Sequence, residues 1–167
     1  MLTKRLLQTA FLKLLKVKQI HTISIRELCS VMQMLCSGGS YNGVQILKPE
    51  TIEAMFTPVW RYDPALKNGD NYMDMMNCYG MGPHIFTNTD MGDRMVVGQD
   101  LPFAGHTAEA YGLVGGLGID RHKGNGIVYF LVGLGCDPVS YLGKYSHFYG
   151  WEESLLTAGI RWAEFDY

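Results

Sequence analysis

The residues whose types could do chemistry lie together in one apolar stretch, at His106-Thr107. An imidazole can hold or transfer a proton near neutral pH, and a threonine hydroxyl can donate a hydrogen bond to a bound group. The surrounding residues, 103–111, are typical of a β-strand with this pair and Ala108 at its centre. Taken alone, such a pair is more typical of an ordinary strand than of a site, so its context decides the interpretation.

Two further apolar segments follow the pair, at 113–119 and 126–132, with a turn at 120–125 between them. Short connections of this kind join antiparallel neighbours in a sheet. The 20 glycines and 10 tyrosines also favour a turn-rich, sheet-containing fold. The sequence therefore predicts an α+β fold in which an antiparallel sheet carries the pair.

Upstream of the sheet, the sequence predicts two helices separated by a tight turn. Ser24 and Glu27 have the spacing of a capping box, and Gly38-Gly39 ends that helix. Asn42-Gly43 is a turn signal, and Pro49 opens a second, shorter helix.

Residues 60–77 are polar and without pattern, which predicts a loop. A strand is expected near 79–86, with 94–97 as its hairpin partner. A C-terminal helix is expected to pack on the sheet, with Glu152 and Glu153 in its first turn, where the helix dipole favours anions. Its apolar face is predicted to consist of Trp151, Leu155, Ala158, Gly159 and Trp162.

Other chemistries have weaker support in the sequence. The 5 histidines are widely spaced and form no metal-binding motif, so no metal is expected. The glycines of 112–118 lack the dinucleotide-binding order, so no cofactor is expected. A Ser-His-Asp triad from Asp100, His106 and some serine stays open, although no pattern supports it.

Composition limits the partners further. A net charge of −2 argues against nucleic acid, which needs a concentrated basic face. The 4 cysteines have no C-x-x-C spacing and are expected to be buried free thiols. They are Cys29, Cys36, Cys78 and Cys136.

The order of these segments resembles the C-terminal portion of the serine β-lactamase and penicillin-binding-protein-like hydrolase family. The resemblance covers 23–165 and includes "GGSYNG", "ILKPETIEAM", "YGMG" and "GIDRHKGNGIVYFLVG". It implies the C-terminal part of the β-lactamase/transpeptidase-like fold. It also implies hydrolysis of an ester, amide or β-lactam through an acyl-serine.

Carried over by position, the family's Lys/His-Thr-Gly box falls on His106, Thr107 and Ala108, and the backbone amide of Glu109 becomes an oxyanion donor. Ala108 departs from the usual glycine, and Glu109 places a carboxylate near a site for anionic substrates. Ser40-Tyr41-Asn42 matches the family's second box by letters only, because it lies in a turn that carries no catalytic group there.

The family's nucleophile box, Ser-x-x-Lys, occurs nowhere in the 167 residues. Ser140 and Lys144 are four apart, not three. The resemblance therefore implies half of an active site, inactive alone, which would take a small-molecule or peptidoglycan-like substrate only when completed by a missing half. The alternative is a non-catalytic remnant or binding module. Relatives usually act in the periplasm or outside the cell, and no clear signal peptide gives the compartment here.

Residues 1–22 lie outside the resemblance and form the first of two predicted units, with 23–167 as a partial β-lactamase-like domain. Leu7, Phe11, Leu14 and Leu15 fall at helical spacing among lysines, which predicts a basic amphipathic helix. That helix either packs on the domain or lies on a membrane surface. Because a partial domain leaves sheet and helix faces uncovered, self-association is also expected.

Overall fold

A six-stranded antiparallel sheet forms the centre of the molecule, in which each strand pairs with the next along the chain from Trp60–Arg61 to Asn125–Val132. The computed structural model describes residues 23–110, 112–134 and 141–165. The helices are α1 (Ile25–Cys36), α2 (Pro49–Phe56) and α3 (Gly150–Phe165). The strands are β1 (Ser40–Tyr41), β2 (Val44–Gln45), β3 (Trp60–Arg61), β4 (Cys78–Tyr79), β5 (His84–Ile85), β6 (Ala104–Ala110), β7 (Leu113–Asp120) and β8 (Asn125–Val132). The predicted α+β class, with a C-terminal helix on an antiparallel sheet, is confirmed.

Local signals place the elements of the N-terminal half as predicted. The Ser24 side chain accepts from the Glu27 amide, and the Glu27 carboxylate accepts from the Ser24 amide, which completes the capping box of α1. Asn42 and Gly43 both have positive φ, 49° and 77°, as the two-residue turn between β1 and β2 requires. Pro49 occupies the first turn of α2.

The three predicted strands around the polar pair are β6, β7 and β8, and they form the longest ladder of the sheet. His106 lies opposite Leu117, which lies opposite Val128 in turn. The side chain of Asp120 accepts hydrogen bonds from the amides of His122 and Lys123, which closes the turn between β7 and β8.

Different helices cover the two faces of this ladder. The α1/α2 face carries the even-numbered residues of β6 and a core formed by Val31, Met34, Leu35, Ile52, Met55 and Ile119. The α3 face carries a second core, formed by Phe86, Met95, Val96, Leu101, Phe103, Tyr129, Phe148, Leu156 and Ile160. Because side chains alternate along a strand, neighbouring residues of β6 belong to opposite faces.

One predicted strand is wrong, and one strand lies in a predicted loop. Residues 94–97 form no strand, and β5 pairs instead with β4 and β6. Residues 60–77 are mostly loop as predicted, but β3 at their start pairs with β4. Each of these strands has only two residues, too few for an alternating pattern to reveal them.

The predicted face of α3 is also wrong, by about one residue of rotation. Leu155 and Trp162 are 40% and 71% exposed, whereas Leu156 and Ile160 are buried. Glu152 and Glu153 are buried too. Hydrogen-bond donors around both carboxylates allow this burial.

Two buried carboxylates fix the start of α3. Glu152 accepts from the Tyr129 hydroxyl at 2.7 Å and from the Tyr149 amide at 3.0 Å. Glu153 accepts from the amides of Lys144 and Tyr145, both at 2.9 Å. Burial raises the pKa of Glu152, and the negative charge of Glu109 raises it further, against the hydrogen bond from Tyr129.

A buried polar cluster joins β5 to the loop that follows it. The Asp93 carboxylate accepts from the Thr87 amide at 2.7 Å and the Thr89 amide at 3.2 Å, and the His84 Nε2 lies 3.3 Å away. His84 and Asp93 are both fully buried. Burial raises the pKa of Asp93, but the hydrogen bonds from His84, Thr87 and Thr89 outweigh it and lower the pKa overall.

We predict that Asp93→Asn lowers the free energy of unfolding by about 3 kcal/mol, because an amide nitrogen would face hydrogen-bond donors in a buried site. Since the pKa of Asp93 is lowered by folding, its contribution is present above the ordinary aspartate pKa of about 3.9 and is lost as the pH falls. Urea denaturation should therefore show a difference in the free energy of unfolding between the variant and the wild type, and this difference should become smaller in acid. Asp90→Asn, at a 95% exposed carboxylate, is the matched control. A gap independent of pH would contradict the prediction.

Candidate half-site on the outer half of β6

The box formed by His106, Thr107 and Ala108 lies on the half of β6 that has a neighbouring strand on one side only. β5 pairs with β6 at Ala104 and Gly105 and ends there. From His106 to Ala110, the described partner of β6 is β7 alone. This outer half of β6 therefore has an open edge on the side where β5 would continue.

The backbone groups on that open edge can be assigned from the ladder. Phe103 accepts a hydrogen bond from the Phe86 amide at 3.0 Å, so the backbone of Phe103 faces the β5 side. Backbone groups of alternate residues in an antiparallel strand point the same way. The amides of Thr107 and Glu109 therefore point to the open edge, and the amide of Glu109 is the one that the resemblance designates as an oxyanion donor.

The side chains of the box divide between the two faces of the sheet. His106 and Ala108 lie on the α1/α2 face and are exposed. Thr107 and Glu109 lie on the α3 face, where Thr107 is half-buried. The structure thus brings the four predicted residues to one open edge but separates the imidazole from the threonine hydroxyl.

The Glu109 carboxylate is directed toward the start of α3. It accepts a hydrogen bond from the Tyr149 hydroxyl at 3.0 Å. Tyr149 in turn stacks on Trp151, with ring centroids 4.9 Å apart. The Glu109 side chain therefore projects away from the face that carries His106.

Gly105 fixes the start of the box by close approach of two strands. A Cβ at this position would overlap the carbonyl oxygen of Leu117, which belongs to the neighbouring strand. Only glycine fits there without moving β6 away from β7. The residue before the box is therefore part of what positions it.

No described side chain supplies a nucleophile or a base beside the box. His106 and Thr107 form no side-chain hydrogen bond or ion pair with another described residue. Ser40 instead bonds to Gln45 across the β1–β2 hairpin at 2.6 Å, in keeping with the interpretation that Ser40-Tyr41-Asn42 is a chance match. Ser140 lies outside the described residues.

A cavity lies at the opposite end of the ladder from the box. It has a volume of about 310 Å³ and opens along β8, between α1 and α3. Cys29 and Met32 line it from one side, and Gly159 and Trp162 line it from the other. Because the cavity lies near the β7–β8 turn, it is not adjacent to the box.

Two buried polar pairs were not predicted from the sequence. The buried pair His84 and Asp93 and the buried Tyr129 and Glu152 are joined only by the fold. Cys29, Cys36 and Cys78 are free as expected, but only Cys78 is buried, and Cys136 lies outside the described residues. Within the described ranges there is no cluster of metal-ligating side chains and no helix long and apolar enough to span a membrane.

Comparison of the chain with protein-family models, curated proteins and solved structures finds no match.

We predict that Gly105→Ala destabilises the fold by about 2 kcal/mol or more, because the new methyl group must push the β6 and β7 backbones apart. Gly150→Ala is the matched control, because a Cβ there would meet its nearest atoms at ordinary contact distances of 3.8 and 3.9 Å. Thermal unfolding of the two variants measures the difference. Equal melting temperatures for both variants and the wild type would contradict the close approach.

Proposed function

We propose that the chain is the sheet half of a serine-hydrolase site of the β-lactamase and penicillin-binding-protein type. His106, Thr107 and the Glu109 amide form one wall of that site. A serine nucleophile from a Ser-x-x-Lys segment outside these 167 residues would complete it. Alone, the chain is catalytically silent.

The observation that carries the proposal is the open edge beside the box. A carbonyl substrate that lies along the outer half of β6 can accept a hydrogen bond from the Glu109 amide, because no described strand uses that amide. In acyl transfer, one such donor contributes roughly 3–4 kcal/mol to stabilising the oxyanion. An ordinary strand in the middle of a sheet would have both edges paired.

The exposed side chains of the box support the same chemistry. His106 is exposed beside the edge, where an imidazole can orient a substrate carboxylate or assist proton transfer. The methyl group of Ala108 is exposed rather than wedged between strands, so it narrows the approach without closing it. The missing serine would attack an ester, amide or lactam carbonyl, and water would then release the acyl group.

The second candidate is a binding module without chemistry. Glu109 favours it, because its carboxylate lies beside an edge that in the family receives anionic substrates. The absence of a described side-chain partner for His106 favours it as well, since a catalytic imidazole is normally oriented by a second group.

We predict that the full chain gives an unmodified intact mass after incubation with a fluorophosphonate and, separately, with a penicillin. The reason is that no serine of the 167 residues stands three positions before a lysine. A serine hydrolase of known reactivity in the same solution shows that the reagents are active. A stoichiometric adduct on one serine would contradict the proposal, because it would reveal a nucleophile within this chain.

The proposed catalytic role is tested first by searching transcripts for a reading frame that extends upstream of Met1 and encodes Ser-x-x-Lys. If the reading frame extends upstream through Ser-x-x-Lys, the longer chain should label at that serine. His106→Ala should slow labelling about 10²-fold, because an oriented acid–base group typically contributes 10²–10⁴. His122→Ala, at an exposed turn residue, is the matched control and should label at the wild-type rate.

Equal labelling of the His106→Ala and His122→Ala variants would exclude a role for the box. If no upstream frame and no second chain supplies a Ser-x-x-Lys segment, the non-catalytic alternative holds.

A further inference from the structure

β8 is the last strand of the described sheet, and one side of its backbone is unpaired. The amides of Ala104 and His106 face β7, so the alternation along the ladder directs Ile127 and Tyr129 toward β7. The backbone groups on the outer side therefore belong to Gly126, Val128, Phe130 and Val132. They form an edge eight residues long.

Within the described residues, this edge has none of the features that keep edge strands from pairing with another chain. The strand reads NGIVYFLV and contains no charged residue and no proline. Natural proteins block such edges with lysine, proline, a bulge or a covering helix. Val132, near the end of the edge, is 73% exposed.

Two helices flank the edge as walls of a groove, and α1 forms the first wall. The Cys36 sulfur lies 3.8 Å from the Asn125 carbonyl oxygen, and Cys29 lines the same cavity as Val128. The helix thus runs antiparallel to β8 and presents a neutral row to the groove. Cys29 and Met32 line the cavity, Cys36 lies at Asn125, and helical spacing places Ile25 in the same row.

The second wall is α3, on the opposite face of the sheet. Gly159 lies against the side chain of Ile127, and Trp162 lines the cavity beside the edge. Leu155 and Trp162 are 40% and 71% exposed, and the small residues Ala158 and Gly159 lie between them. The groove therefore has an unpaired strand as its floor and largely apolar rows on both sides, with Asp120 and Lys123 only at the end beside the β7–β8 turn.

We propose that a second copy of the chain occupies this groove and pairs its own β8 antiparallel with the first. The two-fold axis would pass through the sheet at Tyr129, so that Val128 pairs with Phe130 of the other copy and Gly126 pairs with Val132. The two six-stranded sheets then become continuous. Self-complementary pairing of this kind closes at a dimer.

Charge favours a second copy as the occupant. Near a two-fold axis each residue lies close to its own equivalent, so a charged residue would meet its like. The strand and the four residues of the α1 row contain no charge. Val128 opposite Phe130 is a β-branched and aromatic pair, which is favourable across antiparallel strands.

The dimensions also suit a second copy. Strand neighbours lie about 4.8 Å apart, and α1 contacts both β7 and β8, so α1 and its equivalent would lie roughly 10 Å apart. That spacing matches the 8–10 Å of packed helices. A strand roughly 26 Å long in a helix–sheet–helix edge roughly 30 Å high offers close to the 800 Å² per partner of a stable interface.

Light scattering coupled to gel filtration of the full chain, across a range of concentrations, tests the proposal. The expected result is a dimer that dissociates on dilution. Val132→Pro removes an edge amide without removing a bond to β7, and Trp162→Glu places a charge in the apolar wall that would be buried in the dimer. Each should raise the dissociation constant at least about tenfold. Val59→Glu, at a 63% exposed valine away from β8, is the matched control and should leave it unchanged.

A monomer at all concentrations would overturn the proposal, as would species that grow beyond two copies. A dimer insensitive to both Val132→Pro and Trp162→Glu would place the interface elsewhere. If the full chain is monomeric and a chain starting at Ile23 dimerises, residues 1–22 occupy the groove instead of a second copy. Amide exchange at Val128 and Phe130 gives a readout that needs no variant, because protection should increase with concentration.

Discussion

The antiparallel ladder between β6, β7 and β8 is the constraint on which the rest of the structure depends. Its register fixes which side chains of β6 face α1 and which face α3, and it leaves the outer half of β6 with one neighbour. Gly105 holds the register, because the Leu117 carbonyl lies where any side chain would begin. The open edge, the division of His106 from Thr107 and the exposed side of β8 all follow from this one pairing pattern.

Polar groups at buried positions connect the ladder to the rest of the chain. Tyr129, in the middle of β8, donates to Glu152 and so ties the last strand to the first turn of α3. Tyr149, the residue just before α3, contacts β6 through its hydrogen bond to Glu109. The start of α3 thereby holds Glu109, the residue next to the box, so the geometry of the open edge depends on how α3 packs on the sheet.

Local patterns in the sequence were sufficient to predict the ladder and the caps, because alternation, turn residues and the Ser24–Glu27 spacing act within a few positions. Prediction from the sequence failed where contacts with residues distant in the chain determine the structure. The buried face of α3 includes two glutamates, which accept hydrogen bonds from the Tyr129 and Ser146 hydroxyls and from amides before α3. β5 owes its position to pairing on both sides rather than to any pattern of its own.

For the candidate site, the sequence located the box but could not show the open edge, because that depends on where β5 ends. Amide hydrogen exchange on the full chain, resolved by residue, measures this edge directly. We predict protected amides at His106 and Ala108, which face β7, and fast exchange at Thr107 and Glu109. Equal protection of all four amides would contradict it, because the edge would then be covered and no amide would be available to a substrate.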